Sequence, residues 1–140
     1  MRLKLFRRPH QKVDAFCEGR RRQSDAEFVR DCGMDGNEAG ARVAVAVRRA
    51  VARVGLVDPA FVFAPDRYPH DLGALPLWDS MDWVDLIMRL EDELGVAIPD
   101  RVAERLIDVR GFTIRQFVEG VYANVPGVGP VEAAQPTQRS

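Results

Sequence analysis

Between Ala39 and Gly55 the apolar side chains return with the period of an α-helix. Val43, Ala44, Val47, Ala50, Val51 and Val54 share one face, while Arg42, Arg49 and Arg53 form a stripe elsewhere. The same spacing recurs in Trp83, Leu86, Ile87, Leu90 and Leu94, and again in Ile114, Phe117, Val118 and Val121; a shorter set is Val102, Ala103 and Leu106. No segment alternates apolar and polar residues as a half-buried strand does, so no strand is expected. The pattern predicts an all-α fold. Four helices are marked out by local stop and start signals: Asp58-Pro59 ends the first, and Asp79 or Ser80 caps the second, which Gly95 terminates. Pro99-Asp100 opens the short third helix, and Thr113 caps the fourth. Helices one and two are joined by a long stretch, Val57 to Trp78, broken by Pro59, Pro65, Pro69, Gly73 and Pro76. Connections of that length tend to be functional.

Outside this core the organisation changes. Residues 1–23 show no sustained period and read as a flexible basic arm. Residues 24–38 form a short accessory helix and linker, opened by the capping box Ser24-Asp-Ala-Glu27 and closed at Gly33. Residues 39–122 make the helical domain, and 123–140 read as a disordered Pro/Gly-rich tail. Residues 1–22 hold eight Lys or Arg against Asp14 and Glu18, whereas residues 58–108 hold twelve acids and four bases. An acidic body argues against a nucleic-acid surface, and no partner of that class is expected. No apolar run approaches the roughly 20 residues that span a bilayer, and the N-terminal residues lack the pattern of a secretory signal, so a membrane role is not expected and the cytoplasm is the expected address. Cys17 and Cys32 lie fifteen apart without a CxxC pair, and His10 and His70 add too little for a zinc site; both cysteines are expected to be free thiols. Neither a phosphate-cradling GxGxxG nor a GxSxG elbow is present, and enzymatic activity is not expected.

Helix two carries more apolar surface than burial requires. Beside its core face, Met81, Val84 and Met88 form a second, narrower stripe, surrounded by Asp82, Asp85, Glu91 and Asp92. An apolar strip inside an acidic ring suits a transient partner bearing Arg and Lys: charge steers the encounter and the strip supplies contact area.

Several stretches taken in order resemble the acyl carrier protein family. They are Asp71-Leu-Gly-Ala74, Asp79-Ser-Met-Asp82, Val84-Asp-Leu-Ile-Met88, Leu90-Glu-Asp-Glu-Leu-Gly95 and Ile98-Pro-Asp100, followed by Ala103-Glu-Arg-Leu106 and Thr113-Ile-Arg-Gln-Phe-Val118. The resemblance covers about residues 39–122 and departs from the common pattern at the inserted Leu75-Pro-Leu-Trp78 and at Arg89. It implies a four-helix carrier bundle with its long loop between helices one and two. It further implies a 4'-phosphopantetheine arm, taken from coenzyme A and esterified to Ser80, with Asp79 and Met81 flanking the attachment point. The arm's thiol would hold acyl intermediates as thioesters in fatty-acid, polyketide or related biosynthesis. The implied partners are a phosphopantetheinyl transferase and acyl-transferring or condensing enzymes with basic docking surfaces, meeting Met81, Asp82, Val84, Asp85, Met88, Glu91 and Asp92 of a monomeric carrier. Phe61, Phe63, Leu86, Ile87, Leu90, Phe117 and Val118 are candidates to line an acyl-accepting core. A carrier-like bundle that bears no arm and acts as a scaffold or regulator is the alternative.

Overall fold

The computed structural model describes residues 9–76, 82–107 and 111–129. These are mostly helical: α1 (Pro9–Cys17), α2 (Asp25–Asp31), α3 (Glu38–Gly55), α4 (Asp82–Leu94), α5 (Asp100–Leu106) and α6 (Ile114–Asn124), with 3-10 turns at Pro59–Phe61 and Leu72–Ala74. The helix ends follow local chemistry. Ser24 and Glu27 form the anticipated capping box on α2, the Glu27 N–H donating to Ser24 Oγ over 3.1 Å and the Ser24 N–H to Glu27 Oε1 over 2.8 Å. Thr113 and Gln116 do the same for α6. Asn37 caps α3 by accepting from the Gly40 N–H.

α3 is the central element, packing against α4, α6 and α2. Its buried stripe of Val43, Val47 and Val51 meets Leu86 and Leu90 of α4, Val118 and Val121 of α6, and Phe28 of α2 within one core. The helix ends on Leu56, which takes the left-handed conformation at φ 59° and leaves its side chain about half exposed. A β-carbon in that region is strained, and glycine is the residue helices ordinarily place there. Leu56→Gly is therefore expected to raise stability by roughly 1 kcal/mol; an unchanged or lower midpoint in urea would show that the Leu56 side chain matters more than its backbone strain.

Four sequence expectations need correction. The segment read as a flexible arm over 1–23 contains α1, with Phe16 9% exposed, and continues as irregular chain bonded to the loop after α3. Its charges mislead because Arg20 and Arg22 are used inside the chain: both Arg20 Nη atoms grip the buried Asp66 carboxylate at 2.8 and 2.9 Å, and Arg22 Nη1 meets Asp58 at 3.1 Å. Second, the accessory helix is not separate from the domain at 39–122. Phe28, Val29 and Cys32 lie in the common core, because a helix this short is stable only when packed. Third, residues 123–129, read as the start of the tail, are packed, with Val125 and Val128 buried; 130–140 lie outside the described residues. Fourth, a two-residue antiparallel pair exists: β1 (Arg67–Tyr68) against β2 (Phe112–Thr113), with Arg67 opposite Thr113 and Tyr68 opposite Phe112. Gly111, at φ 108°, permits it, since a β-carbon there would come within 2.7 Å of the Tyr68 carbonyl oxygen.

One buried charge knits these pieces together. Arg48, on α3, is 1% exposed. Its Nε donates to the Val62 carbonyl at 3.1 Å, Nη1 to Asp25 Oδ1 at 2.8 Å, and Nη2 to the carbonyls of Gln23 at 2.9 Å and Ala60 at 3.2 Å. The guanidinium also lies over the Phe28 ring, 4.8 Å from its centroid. All three guanidinium nitrogens have acceptors, the condition under which a buried cation is tolerable.

Candidate functional site

The loop from Val57 to Pro76 leads toward the first turn of α4. Asp79, Ser80 and Met81, the proposed attachment point and its neighbours, lie outside the described residues, and the helix is described from Asp82 onward. Leu77 and Trp78 lie outside the described residues too; upstream of them Leu72 and Leu75 are buried, at 1% and 3% exposed. Asp71 takes the Arg67 N–H at 2.8 Å on Oδ2, and its Oδ1 lies 3.0 Å from His70 Nδ1. Burial alone lifts the Asp71 carboxyl, but the Arg67 N–H, the His70 ring and the Arg67 guanidinium outweigh it and hold the group below its ordinary value.

Downstream of 77–81 the first turn of α4 is anchored by aromatic packing. Trp83 meets Tyr68 edge to face, with centroids 4.8 Å apart, and lies 5.3 Å from Phe112, which in turn stacks on Phe117 at 5.5 Å. This cluster ties α4 to the strand pair and to α6.

Beyond that turn α4 presents two different faces. Leu86, Leu90 and Leu94 are buried, whereas Val84 and Met88 are 60% and 57% exposed. Asp92 is exposed beside this strip. Asp85 is partly exposed and pairs with Arg89, Nε to Oδ1 at 3.2 Å. Arg89 thus tempers the acidity of the ring instead of lying outside it. Glu91, expected to face a partner, is half-buried and also has a contact within the chain. Its Oε2 accepts the Ile98 N–H at 2.8 Å, so this carboxylate holds the turn between α4 and α5. The spacing along α4 gave no sign of that, because the partner is seven residues away across a turn.

Between α4 and α5 runs a groove of about 330 Å³. Trp83, Ile87, Met88, Ile98, Ala103 and Ile107 supply its apolar lining, with Glu91, Asp100 and Glu104 among the polar groups. The sequence marks Asp100 and Glu104 only as helix and motif residues, not as a pair beside a groove, although their separation of four places both on one side of a helix. Of the residues expected to line an acyl-accepting core, Ile87 lines this groove. Leu86, Leu90, Phe117 and Val118 are buried in the packed interior, while Phe61 and Phe63 stand under the guanidinium groups of Arg22 and Arg20.

Both cysteines are free. Burial pushes the Cys32 thiol from its usual 9.0 up to about 12, against a smaller opposing pull from Arg115. Cys17 is raised by burial too, with Arg20 opposing. The fold therefore disfavours the Cys32 thiolate: the stability linked to this group is intact below pH 9 and declines as pH climbs from 9 toward 12. In native protein at pH 8, iodoacetamide is expected to label the partly exposed Cys17 and spare Cys32, and to label both in urea. Equal native labelling would show that the α2 end opens readily.

Among the described residues, no group of three or more His, Cys, Asp or Glu is arranged to hold a metal ion, and no helix is long and apolar enough to cross a membrane. No protein-family model matches the chain, and no solved structure matches it.

Proposed function

We propose that this chain is a carrier protein of the acyl-carrier type, bearing a 4'-phosphopantetheine arm on Ser80 and presenting acyl thioesters to enzymes that dock on α4. The observation that carries this reading is the exposed side of α4. Val84 and Met88 face solvent on a helix whose opposite side is fully engaged in the core, with Asp85 and Asp92 beside them. Large apolar side chains held in water next to carboxylates suit a surface that engages and releases a basic partner. The order of the described elements supports the same reading: the long α3, a long connection from Val57 to Pro76, then α4, a short α5 and α6, with Asp79-Ser80-Met81 just ahead of α4 in the sequence.

The residues present suit the arm. A serine hydroxyl is the group a transferase esterifies, and a phosphodiester on a serine just ahead of a helix in sequence would be favoured by the helix's unpaired first N–H groups and the positive end of its dipole. Once bound, the arm supplies a terminal thiol that holds the acyl group as a thioester. The groove between α4 and α5, floored by Ile87, Ile98 and Ile107, offers apolar cover for a short hydrocarbon segment. Asp82, which opens α4, together with Asp85 and Asp92, supplies the charge that draws in basic docking surfaces, the transferase among them. Glu91 contributes chiefly by fixing the turn that positions α5.

Intact-mass analysis tests the proposal. Incubation of the full chain with coenzyme A, magnesium and a promiscuous phosphopantetheinyl transferase is expected to add a single pantetheine. An unchanged mass, under conditions that load a control carrier, would leave the scaffold or regulatory reading in its place.

A further inference from the structure

The docked N-terminal segment has no part in the carrier reading, yet it is bonded along much of the loop that precedes α4. From Arg20 to Ser24 the chain is neither helix nor strand and is tied to residues 58–66 at several positions. The Gln23 N–H donates to the Ala60 carbonyl at 2.9 Å, Arg20 Nη1 donates to the Phe61 carbonyl at 3.0 Å, and both Nη atoms of Arg20 close on Asp66. Arg20 is also sandwiched against aromatic rings, 4.0 Å from the centroid of Phe16 on α1 and 4.8 Å from that of Phe63 on the loop. Arg48 completes the attachment from beneath by binding carbonyls on both strands of this contact, Gln23 on one side and Ala60 and Val62 on the other.

Asp66 is where this contact meets the route to α4. Its carboxylate, 5% exposed, also accepts the Phe63 N–H at 2.8 Å, and its carbonyl accepts the Ile114 N–H at 2.9 Å. The next two residues are β1, and the Tyr68 ring at the end of that strand packs edge-on against Trp83 in the first turn of α4. A continuous series of short contacts thus runs from Arg20 through Asp66 and Tyr68 to the helix start that follows residues 77–81.

We propose that residues 9–25 are a strap that fixes the loop feeding α4, and that Arg20 is its positioning residue. By fixing the loop ahead of α4 and, through Tyr68, the Trp83 turn, the strap sets how α4 is offered to a modifying or docking enzyme; this second half rests on the carrier reading, whereas the first does not. A bidentate guanidinium–carboxylate pair suits the task because it fixes orientation as well as distance, which a lysine ammonium does not.

Hydrogen exchange on the full chain, read by mass spectrometry, tests the strap. In Arg20→Gln, amides of residues 58–76 are expected to exchange about 10-fold faster, the size of effect a lost charge-assisted pair gives, while α6 amides change by less than about 3-fold. The double variant Arg20→Gln/Asp66→Asn, which keeps two hydrogen-bonding side chains without a buried charge, guards against simple unfolding and is expected to show the same local pattern. Unchanged exchange in 58–76, or uniform acceleration everywhere, would overturn the strap. For the second half, the KM of the transferase for the Arg20→Gln carrier is expected to rise about 10-fold with kcat less affected, as loss of a preorganised docking conformation implies. A loosened loop with an unmoved KM would overturn that half. If wild type accepts no pantetheine at all, the carrier reading falls and the exchange result still decides the strap.

Discussion

Replacing Arg48 by methionine is expected to lower the unfolding free energy by about 3–5 kcal/mol, a large share of what a domain of this size holds in reserve. The methionine fills much of the same space, so the loss is one of hydrogen bonding. The buried Val62 carbonyl and the part-buried Gln23 carbonyl lose their guanidinium donors, and a buried orphan of this kind costs about 1–3 kcal/mol. Ala60 is spared part of this because its oxygen keeps the Gln23 N–H. The partner carboxylate behaves differently. The Asp25 side chain is 52% exposed, so water replaces the arginine there, and Asp25→Ala is expected to cost about 1 kcal/mol or less. Lysine at position 48 keeps the charge but cannot reach acceptors on three sides, so Arg48→Lys is not expected to rescue. Urea unfolding of the three variants checks the order. Equal losses for Arg48→Met and Asp25→Ala would mean that the ion pair, and not the set of carbonyl contacts, is what holds the segment.

The second large effect is chemical. With Ser80→Ala, pantetheine loading is expected to vanish altogether, since the esterified oxygen is gone, while the bundle stays folded. If Ser80 served only to cap α4, the same change would lower stability by about 1 kcal/mol and leave a chain that was never loaded as wild type either. The two cases separate cleanly when loading and unfolding are measured on both proteins. Loading of the Ser80→Ala chain at the wild-type rate would move the attachment to another hydroxyl and end the present assignment.

The features legible in the sequence were those whose causes are local. Ser24 with Glu27, and Thr113 with Gln116, announce their helices because each cap is completed within three residues. The face carrying Val43, Val47 and Val51 was legible for a similar reason: a period is a short-range property. Arg48 was not. It borders that apolar face, and its acceptors come from a segment that reads as free arm and a loop that reads as irregular, so no local pattern marks it as buried. Arg20 and Arg22 were misleading for the matching reason that charge counts do not say which cations are spent internally. The strand pair at 67–68 and 112–113 is too short for alternation to reveal. On the candidate site, the exposure of Val84 and Met88 agrees with the second apolar stripe read from α4. The turn-holding role of Glu91 emerged only when the chain folded back to Ile98.

The shared core of α2 and α3 has a practical corollary for anyone transplanting this unit between assemblies. A piece excised at Ala39, the border that periodicity suggests, would leave behind the Phe28 and Val29 side chains that plug the bundle, and would uncap the guanidinium at position 48. An excised unit has to keep α1 as well, because Phe16 on that helix belongs to the same core.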